Sequence, residues 1–266
     1  MRNIILLLLL FLAQNAAAET RFITLASTTS TENSGLFAHI LPRFTAQSGI
    51  SVRVVAVGTG AALRLGARGD VDAVLVHARQ AEDAFVAAGH GIERRDVMHN
   101  DFVLIGPVDD PAGLRGGRDI AVALREIAAA RALFLSRGDD SGTHQAERRF
   151  WTSAAIDPLI FSGKWYLETG AGMGATLNVA AAKSGYALTD RATWLAFGNR
   201  AGLAVMVKGD PRLRNPYGLI MVNPAKHPHV KRALTQKFID WLISPVGKAA
   251  IASFQLHGRQ VFFPAP

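Results

Sequence analysis

The pattern that most restricts the fold is an alternation of short apolar runs with helical segments in the early part of the chain. Strands are predicted at residues 21–26, 52–57 and 73–76, and helices at 33–48 and 61–68. Such alternation is typical of a parallel β-sheet covered by helices. Ligands of these sheets bind beyond the carboxyl ends of the strands, so the loops after the strands are the first candidates for a binding site.

Polar or glycine-containing loops follow all three predicted strands. The loops are residues 27–30, residues 58–60 and His77. Because they lie at the same edge of the predicted sheet, we expect them to share one site. The candidate ligand residues in them are Thr28, Thr29, Ser30 and Thr59. Helix capping is the alternative explanation, since hydroxyl residues are common at helix starts.

A second α/β unit follows a Gly/Pro/Asp-rich break at residues 106–117. Residues 119–200 repeat the succession of helix, strand and polar loop, and strands predicted at 203–207 and 217–222 lead back to the first unit. We therefore expect two α/β lobes with parallel-rich sheets, joined by two crossovers, with the ligand cleft between them. The first lobe is predicted to comprise residues 19–103 and 208–266, and the second 104–207.

Residues 136–144 have the features of an oxyanion-binding loop. They follow the apolar run 132–135 and open a helical pattern, so unpaired backbone N–H groups and the helix dipole would face an anion. Arg137 adds a permanent charge and a planar set of donors suited to oxyanions. The neutral donors predicted here are Ser141, Gly142 and Thr143.

Two alternatives concern the residues around this loop. Arg137 could be a surface residue paired with Asp139 or Asp140, but the preceding strand and the following Ser-Gly-Thr favour anion binding. The two aspartates would repel an anion, so turn formation, capping and orientation of Arg137 are their expected roles. Gly172 and Gly174 could offer N–H groups to the ligand, or only permit a tight start of the next helix.

The N-terminus has the pattern of a secretory signal peptide, predicted at residues 1–18. Arg2 precedes an apolar run at 4–13, and the alanines at 16–18 form a small-residue cleavage site. An uncleaved anchor is the alternative, although the run is short for a bilayer. The chain has no cysteine, which excludes a disulfide framework and a lipid-anchored cysteine. A periplasmic location is the simplest prediction.

Charge and motif content narrow the function classes. The formal net charge of +8 agrees both with attraction toward anions and with a basic, soluble surface, and charge alone does not decide between them. The basic residues are scattered and an exported chain rarely meets nucleic acid, so no nucleic-acid partner is predicted. The eight histidines show no metal-ligand spacing, so neither a metal nor a cofactor is predicted. A hydrolase that uses Ser141 and His144 is the alternative from another class. It lacks a Gly-x-Ser-x-Gly elbow, and we predict no enzymatic activity.

Seven motifs are distinctive when taken together. They occupy residues 27–30, 57–60, 100–102, 136–144, 168–174, 188–191 and 215–218. In this combination the chain resembles the tungstate-binding proteins of bacterial ABC transporters, a family of periplasmic substrate-binding proteins. The resemblance runs over nearly all of the chain after the signal peptide. The first loop of that family usually reads Thr-Thr-Thr-Ser, and Ser27 keeps a hydroxyl at its first position.

The resemblance implies a two-lobed periplasmic binding protein fold and a monomer that captures tungstate in its cleft. Closure of the lobes and delivery of the anion to the membrane permease of an ABC transporter are implied as well. A sensor that reports oxyanion levels to a membrane receptor would use the same fold and site, so that role stays open.

The identity of the oxyanion is less narrowly indicated. Arg137, Ser141 and Thr143 also match the spacing used by phosphate-binding proteins of the same superfamily, so the motif indicates a tetrahedral oxyanion more strongly than tungstate. Where phosphate binders carry an Asp that accepts the proton of phosphate, this chain has His77, which favours a fully deprotonated dianion. Molybdate, and then phosphate or sulfate, are the alternatives.

Overall fold

Three parallel strands begin the molecule. The computed structural model describes residues 21–200 and 202–266, so the predicted signal peptide and its cleavage site lie outside the described residues. The strands are β1 (Phe22–Thr28), β2 (Ser51–Val57) and β3 (Ala73–Val76). β1 lies between the other two and pairs in parallel with both. The predicted parallel arrangement of this unit is therefore confirmed.

Helices follow each of these strands. They are α1 (Thr29–Asn33), α2 (Leu36–Ser48), α3 (Thr59–Arg68) and α4 (Arg79–Ala87). α2 ends where Gly49 takes a left-handed φ of 68°, a conformation that glycine adopts without steric cost. α4 was absent from the sequence prediction, which ended this unit at His77. Because α1 and α3 each start directly after a strand, both begin at the same edge of the sheet.

One long strand, β4 (Gly91–Pro107), crosses from the first unit into the second. Its first part pairs with β9 (Arg214–Val222), which in turn pairs with β3. Its last residues pair with β7 (Ala187–Asp190) and β8 (Leu203–Val207) of the second unit. All four of these pairings are antiparallel, so the sheet as a whole is mixed. β4 and β9 thus connect the two units.

The second unit carries the oxyanion-type loop. Its remaining elements are α5 (Ile120–Ala130), β5 (Phe134–Ser136), α6 (Gly142–Ser153), β6 (Tyr166–Glu168), α7 (Met173–Lys183) and α8 (Arg191–Ala196). α5 begins where the Asp119 carboxylate accepts from the backbone N–H of Val122, and β5 pairs in parallel with β6. The loop of residues 137–141 connects β5 directly to α6, as the sequence predicted.

The chain returns to the first unit at its C-terminus. The elements there are α9 (Arg232–Ile243), α10 (Pro245–Ala252), β10 (Gln255–Leu256), β11 (Arg259–Gln260) and β12 (Phe263–Pro264). β12 pairs with β4, which ties the end of the chain to the crossing strand. No helix within the described residues is long and apolar enough to cross a membrane.

Buried apolar side chains form separate clusters in the two units. Ile23, Phe44 and Phe238 belong to the largest cluster of the first unit, whereas Trp151 and Tyr166 belong to the largest cluster of the second. Each large side chain buried in this way contributes about 1.5–3 kcal/mol or more of hydrophobic stabilisation. Two separately packed units can move relative to each other about the strands that join them. The two-lobed α/β fold class is confirmed, while the residue boundaries of the lobes stay a prediction.

Candidate anion-binding site

The loop between β5 and α6 turns sharply to place the start of α6 beside the first unit. Gly138 and Asp140 take left-handed φ values of 61° and 55°. Ser141 is the N-cap of α6, where its Oγ accepts from the backbone N–H of His144 at 3.2 Å. The buried side chain of Ser141 therefore serves as a helix cap. α6 begins with its N–H groups and the positive end of its dipole at this loop.

Arg137 is buried and held by its own loop. Its side chain is 4% exposed, so it is not the surface arginine of the alternative interpretation. Its Nε and Nη2 donate to Oδ2 of Asp139, at 3.2 and 2.6 Å. Although burial of Asp139 opposes its charged form, the hydrogen bonds from Ser141 and the Arg137 charge lower the pKa of the carboxyl. Asp139 therefore orients Arg137, as the sequence predicted.

Two threonine hydroxyls stand out because they are buried and unpartnered. Oγ1 of Thr59, in α3, and Oγ1 of Thr143, in α6, have no hydrogen-bond partner in the part of the chain that the structure describes. Leaving a hydroxyl buried without a partner costs about 1–3 kcal/mol. Each hydroxyl can donate to an oxyanion without adding charge. One comes from each lobe.

The two lobes touch at this point. A Cβ added to Gly142 would lie 2.7 Å from Cε1 of His77 and 3.0 Å from Oγ1 of Thr59. A Cβ added to Gly60 would lie 2.5 Å from Oδ2 of Asp140. Glycine is therefore needed at position 142, where the neighbour is a buried ring, whereas the atom nearest Gly60 is the end of the flexible Asp140 side chain. The arrangement brings Thr59 and His77 of the first lobe against the start of α6 in the second.

The hydroxyl-rich loop after β1 has a divided role. Thr28 caps α1: its Oγ1 accepts from the backbone N–H of Thr31 at 3.3 Å and lies 3.1 Å from Oγ of Ser30. Capping thus accounts for the side chain of Thr28. Thr29 and Ser30 line a cleft of about 410 Å³ whose other wall includes Gly172 and residues 173–175 of α7. The glycine loop therefore faces the first lobe across this cleft.

His77 is a neutral wall of the site. It is buried, and burial, followed by the nearby charges of Arg137 and Arg149, lowers its pKa to about 4 against an opposing hydrogen bond to Asn215. Nδ1 of His77 lies 3.1 Å from Oδ1 of Asn215, and its ring packs on Tyr217 with centroids 4.8 Å apart. The positive charge of the predicted anion loop comes from Arg137, whereas His77 adds no charge at neutral pH.

Two carboxylates beside the site are already occupied by donors. Asp139 accepts from the backbone N–H of Ser141 through Oδ1 and from Arg137 through Oδ2. Asp190, the N-cap of α8, accepts from the backbone N–H of Thr193 through Oδ1 and from its hydroxyl through Oδ2, at 2.9 and 2.5 Å. Burial raises the pKa of Asp190. Both carboxyl groups are therefore engaged within the protein.

The geometry does not assemble the hydrolase of the alternative interpretation. Ser141 Oγ accepts from the backbone of His144, while the ring Nδ1 of His144 accepts from the backbone N–H of Asp140 at 3.1 Å. The ring and the hydroxyl are thus not joined as base and nucleophile. Across residues 21–200 and 202–266, no group of three or more His, Cys, Asp or Glu side chains could hold a metal ion.

Sequence reasoning assigned no function to three residues near the site. Asn100 on β4, Asn215 on β9 and Asp190 on β7 are all buried and hydrogen-bonded to one another or to His77. The sequence contained one signal for them, since the distinctive motifs at 100–102, 188–191 and 215–218 include all three. Asn100 and Asn215 are hydrogen-bonded although they lie 115 positions apart in the sequence, and no local pattern reveals such a pairing.

Comparison with known proteins places this arrangement in context. The sequence matches the PBP superfamily domain over residues 13–246. It is 43% identical to the tungstate-binding protein TupA of Peptoclostridium acidaminophilum over 246 residues, covering 91% of this chain and 85% of that protein. The solved structure of the tungstate-binding protein TupA from Desulfovibrio alaskensis G20 is similar with a TM-score of 0.81 and 46% identity, covering 92% of this chain and 99% of that one. The tungstate ABC transporter structure from Geobacter sulfurreducens has a TM-score of 0.80 and 47% identity, covering 88% and 98%.

Proposed function

Since the chain belongs to the TupA-type tungstate-binding proteins within the PBP superfamily, we propose that it captures tungstate between its lobes for an ABC importer. It is a solute-binding protein and performs no chemistry on its cargo. The observation that carries the proposal is the pair of unpartnered buried hydroxyls, Thr59 and Thr143, beside the buried guanidinium of Arg137.

The chemistry of these donors suits a tetrahedral dianion. Neutral hydroxyls from opposite lobes can each donate to a separate oxygen, and a hydrogen bond to a charged group contributes about 1.5–3 kcal/mol. Arg137 supplies the full positive charge, and the N–H groups at the start of α6 supply a partial one. The residues assigned to the ligand are Thr28, Thr29, Ser30, Thr59, Arg137, Ser141, Gly142 and Thr143.

Within this set the structure supports the residues unequally. Thr59, Gly142 and Thr143 lie at the contact between the lobes or carry an unpartnered hydroxyl. The side-chain oxygens of Thr28 and Ser141 serve as helix caps, so we propose that they reach the anion through their hydroxyl hydrogens or backbone N–H groups.

Binding is coupled to closure in this proposal. An anion that contacts donors on both lobes makes all of its contacts only in the closed arrangement. Binding therefore stabilises the closed state relative to the open one and shifts the population toward it. The strands β4 and β9 join the lobes and are the natural hinge. The contact of Gly142 with His77 and Thr59 belongs to the closed state.

Selectivity among oxyanions depends on the hydrogen-bond acceptors that the site offers. Hydrogen phosphate carries a proton that needs an acceptor in the site, whereas tungstate, molybdate and sulfate need none. Asp139 and Asp190 already accept hydrogen bonds at both carboxylate oxygens. Because these carboxylates are held by donors of the protein itself, and because curated relatives are tungstate-binding proteins, we propose a fully deprotonated oxyanion, with tungstate first and molybdate second. The choice between these two depends on cavity size and donor placement.

Cellular context completes the proposal. We infer that residues 1–18 are removed on export, that the mature protein is a periplasmic monomer, and that it delivers tungstate to the permease of its ABC transporter. Mass spectrometry of protein taken from the periplasm tests the first step, and a mass that retains residues 1–18 contradicts it.

Calorimetric titration of the purified mature protein with tungstate, molybdate, sulfate and phosphate tests the proposed cargo. We expect tungstate to bind most tightly and phosphate to compete poorly at neutral pH. Strong competition by phosphate at neutral pH would transfer the assignment to phosphate binding, and absence of tungstate binding would reject the proposed function.

A further inference from the structure

A chain of buried side-chain hydrogen bonds crosses both hinge strands. His77 Nδ1 lies 3.1 Å from Oδ1 of Asn215 on β9. Nδ2 of Asn215 donates to Oδ1 of Asn100 on β4 at 2.7 Å, and Nδ2 of Asn100 donates to Oδ1 of Asp190 at 3.2 Å. The chain starts at the wall of the anion site in the first lobe and ends at the cap of α8 in the second.

The direction of every bond in this chain is fixed from its acidic end. Oδ1 of Asp190 also accepts the backbone N–H of Thr193, so it is an acceptor. Asn100 must therefore turn its amide NH₂ toward Asp190 and its carbonyl oxygen toward Asn215. Asn215 in turn presents its NH₂ to Asn100 and its carbonyl oxygen to His77. A carbonyl oxygen only accepts, so Nδ1 of His77 must be the donor.

The consequence is a single tautomer and a single ring orientation for His77. Because Nδ1 carries the hydrogen in the neutral ring, Nε2 carries none. The ring packs on Tyr217, and its Cε1 and Nδ1 edge faces Gly142, the first residue of α6. A turned ring would present different atoms at this close contact. The fixed orientation thus matches the surface that the second lobe meets on closure.

We propose that Asn100 and Asn215 are positioning residues that fix the tautomer and orientation of His77 and thereby set the affinity of the closed cleft for its anion. The affinity part of this inference rests on the proposed function, whereas the tautomer part does not. Both asparagines act through His77 and need no contact with the ligand. The state of the hinge strands is in this way linked to the wall of the site.

The tautomer is measured first, on ligand-free protein labelled with ¹⁵N-histidine. The His77 signals are assigned from their loss in His77→Gln, and we expect a protonated Nδ1 and an unprotonated Nε2 at neutral pH. Asn215→Leu removes the acceptor, so the single tautomer should be lost. Asn215→Asp keeps an acceptor oxygen for His77, so the Nδ1–H tautomer should persist. A role limited to packing would not separate these two variants.

Tungstate affinity is then measured by calorimetry on the same proteins. We expect Asn100→Leu and Asn215→Leu each to weaken binding about tenfold or more, the effect of losing one buried hydrogen bond and stranding its partner. The matched control is Asn178→Ala, because Asn178 accepts from Asn199 at 2.9 Å in an exposed amide pair away from the hinge. Its affinity should equal that of the parent.

Several results would overturn the proposal. It is wrong if the parent shows His77 protonated at Nε2, or if both leucine variants keep the Nδ1–H tautomer and bind tungstate as the parent does. Should a leucine variant fail to fold, Asn100→Asp carries the test: it cannot donate to Asp190, and parent affinity in this variant contradicts the proposal. If the parent does not bind tungstate, only the proposed function is rejected. The tautomer measurement still decides whether the two asparagines fix the tautomer of His77.

Discussion

Asp139 binds Arg137 through the oxygen that faces the guanidinium, at 2.6 Å from Nη2, while its other oxygen accepts from the backbone N–H of Ser141. The guanidinium is therefore oriented by the start of α6 before any anion arrives. Preorganisation of this kind reduces the entropy lost on binding. Asp139 also offsets part of the Arg137 charge, so the neutral donors of the site carry a correspondingly larger share of recognition.

Replacement of Arg137 by alanine tests the charged contact. We expect a loss of about 2–5 kcal/mol in binding free energy, the range for truncating one partner of a buried charge pair, or roughly thirty-fold to several thousand-fold in affinity. Arg137→Lys should recover only part of the loss, because an ammonium keeps the charge but lacks the planar fork. Calorimetric titration with tungstate measures both variants.

Arg68→Ala is the matched control for Arg137→Ala. Arg68 also pairs with an aspartate two residues later, Asp70, at 2.6 Å, but both side chains are largely exposed. An exposed ion pair contributes about 1 kcal/mol or less. We expect parent affinity for tungstate in this variant. Equal effects of the two substitutions would show that loss of net charge, rather than of a contact, weakens binding.

The unpartnered hydroxyls are tested by Thr59→Val and Thr143→Val, which keep the shape of the side chain. Each should weaken tungstate binding by about 1.5–3 kcal/mol, or roughly tenfold to 150-fold. The free energy of unfolding of the ligand-free protein should not fall, because the substitution removes a buried hydroxyl that has no partner among the described residues. Calorimetry and urea unfolding together give the two quantities.

Thr235→Val provides the opposite control. Thr235 is fully buried on α9, and its hydroxyl donates to the carbonyl oxygen of Lys231 at 2.9 Å. We expect reduced stability with unchanged tungstate affinity. If Thr59→Val and Thr143→Val behave like Thr235→Val, the two hydroxyls have a structural role and do not bind the anion.

The sequence predicted the first unit well because its strands are short, apolar and followed by clear loop signals. It did not predict the first part of β4, since residues 93–96 are charged and the ladder with β9 contains register shifts that break the alternation of a strand. α4 was missed as well, because charged residues occupy its start and Phe85 and Val86 are its only large apolar residues. Local patterns cannot report pairing partners that lie far along the chain.

The candidate site, like the fold, could be predicted from the sequence only in part. Arg137 and Thr143 could be proposed as site residues because a strand, a loop and a helix start are read directly from adjacent residues. The sequence could not distinguish Thr28, whose side chain caps α1, from Thr59, whose hydroxyl has no partner in the described chain. The neutral state of His77 was equally hidden, since it depends on burial and on a partner 138 residues away.

Gly142→Ala tests closure of the lobes. The added Cβ would lie 2.7 Å from Cε1 of His77, closer than carbon atoms approach without a shift, so the lobes should remain further apart. We expect weaker tungstate binding, by about tenfold or more, and a larger radius of gyration with saturating ligand in small-angle scattering. Gly198→Ala is the control, because a Cβ there meets no atom within 4 Å in the described structure. Parent affinity and scattering in Gly142→Ala would show that this contact is not required for closure.

The buried state of His77 predicts a specific pH dependence of stability. Burial, together with the charges of Arg137 and Arg149, lowers its pKa from 6.5 to about 4. Between these values the unfolded chain binds a proton that the folded protein does not, so the contribution of His77 to the free energy of unfolding rises with pH from about 4 to 6.5. This stabilising contribution of His77 is fully present above pH 6.5 and is lost as the pH falls from 6.5 to about 4.

Glu147 acts in the opposite direction, which determines how the measurement is made. Burial raises the pKa of its carboxyl to about 7, so its contribution falls as the pH rises from 4.5 to about 7 and masks part of the His77 effect in the parent. Comparison of the ligand-free parent with His77→Gln cancels the Glu147 contribution, because both proteins contain it. We expect the stability of the parent relative to the variant to increase by about 3 kcal/mol from pH 4 to pH 6.5 in urea unfolding. A difference that is constant across this range would mean that His77 titrates alike in the folded and unfolded chains, and that the wall of the anion site is not the buried neutral imidazole described here.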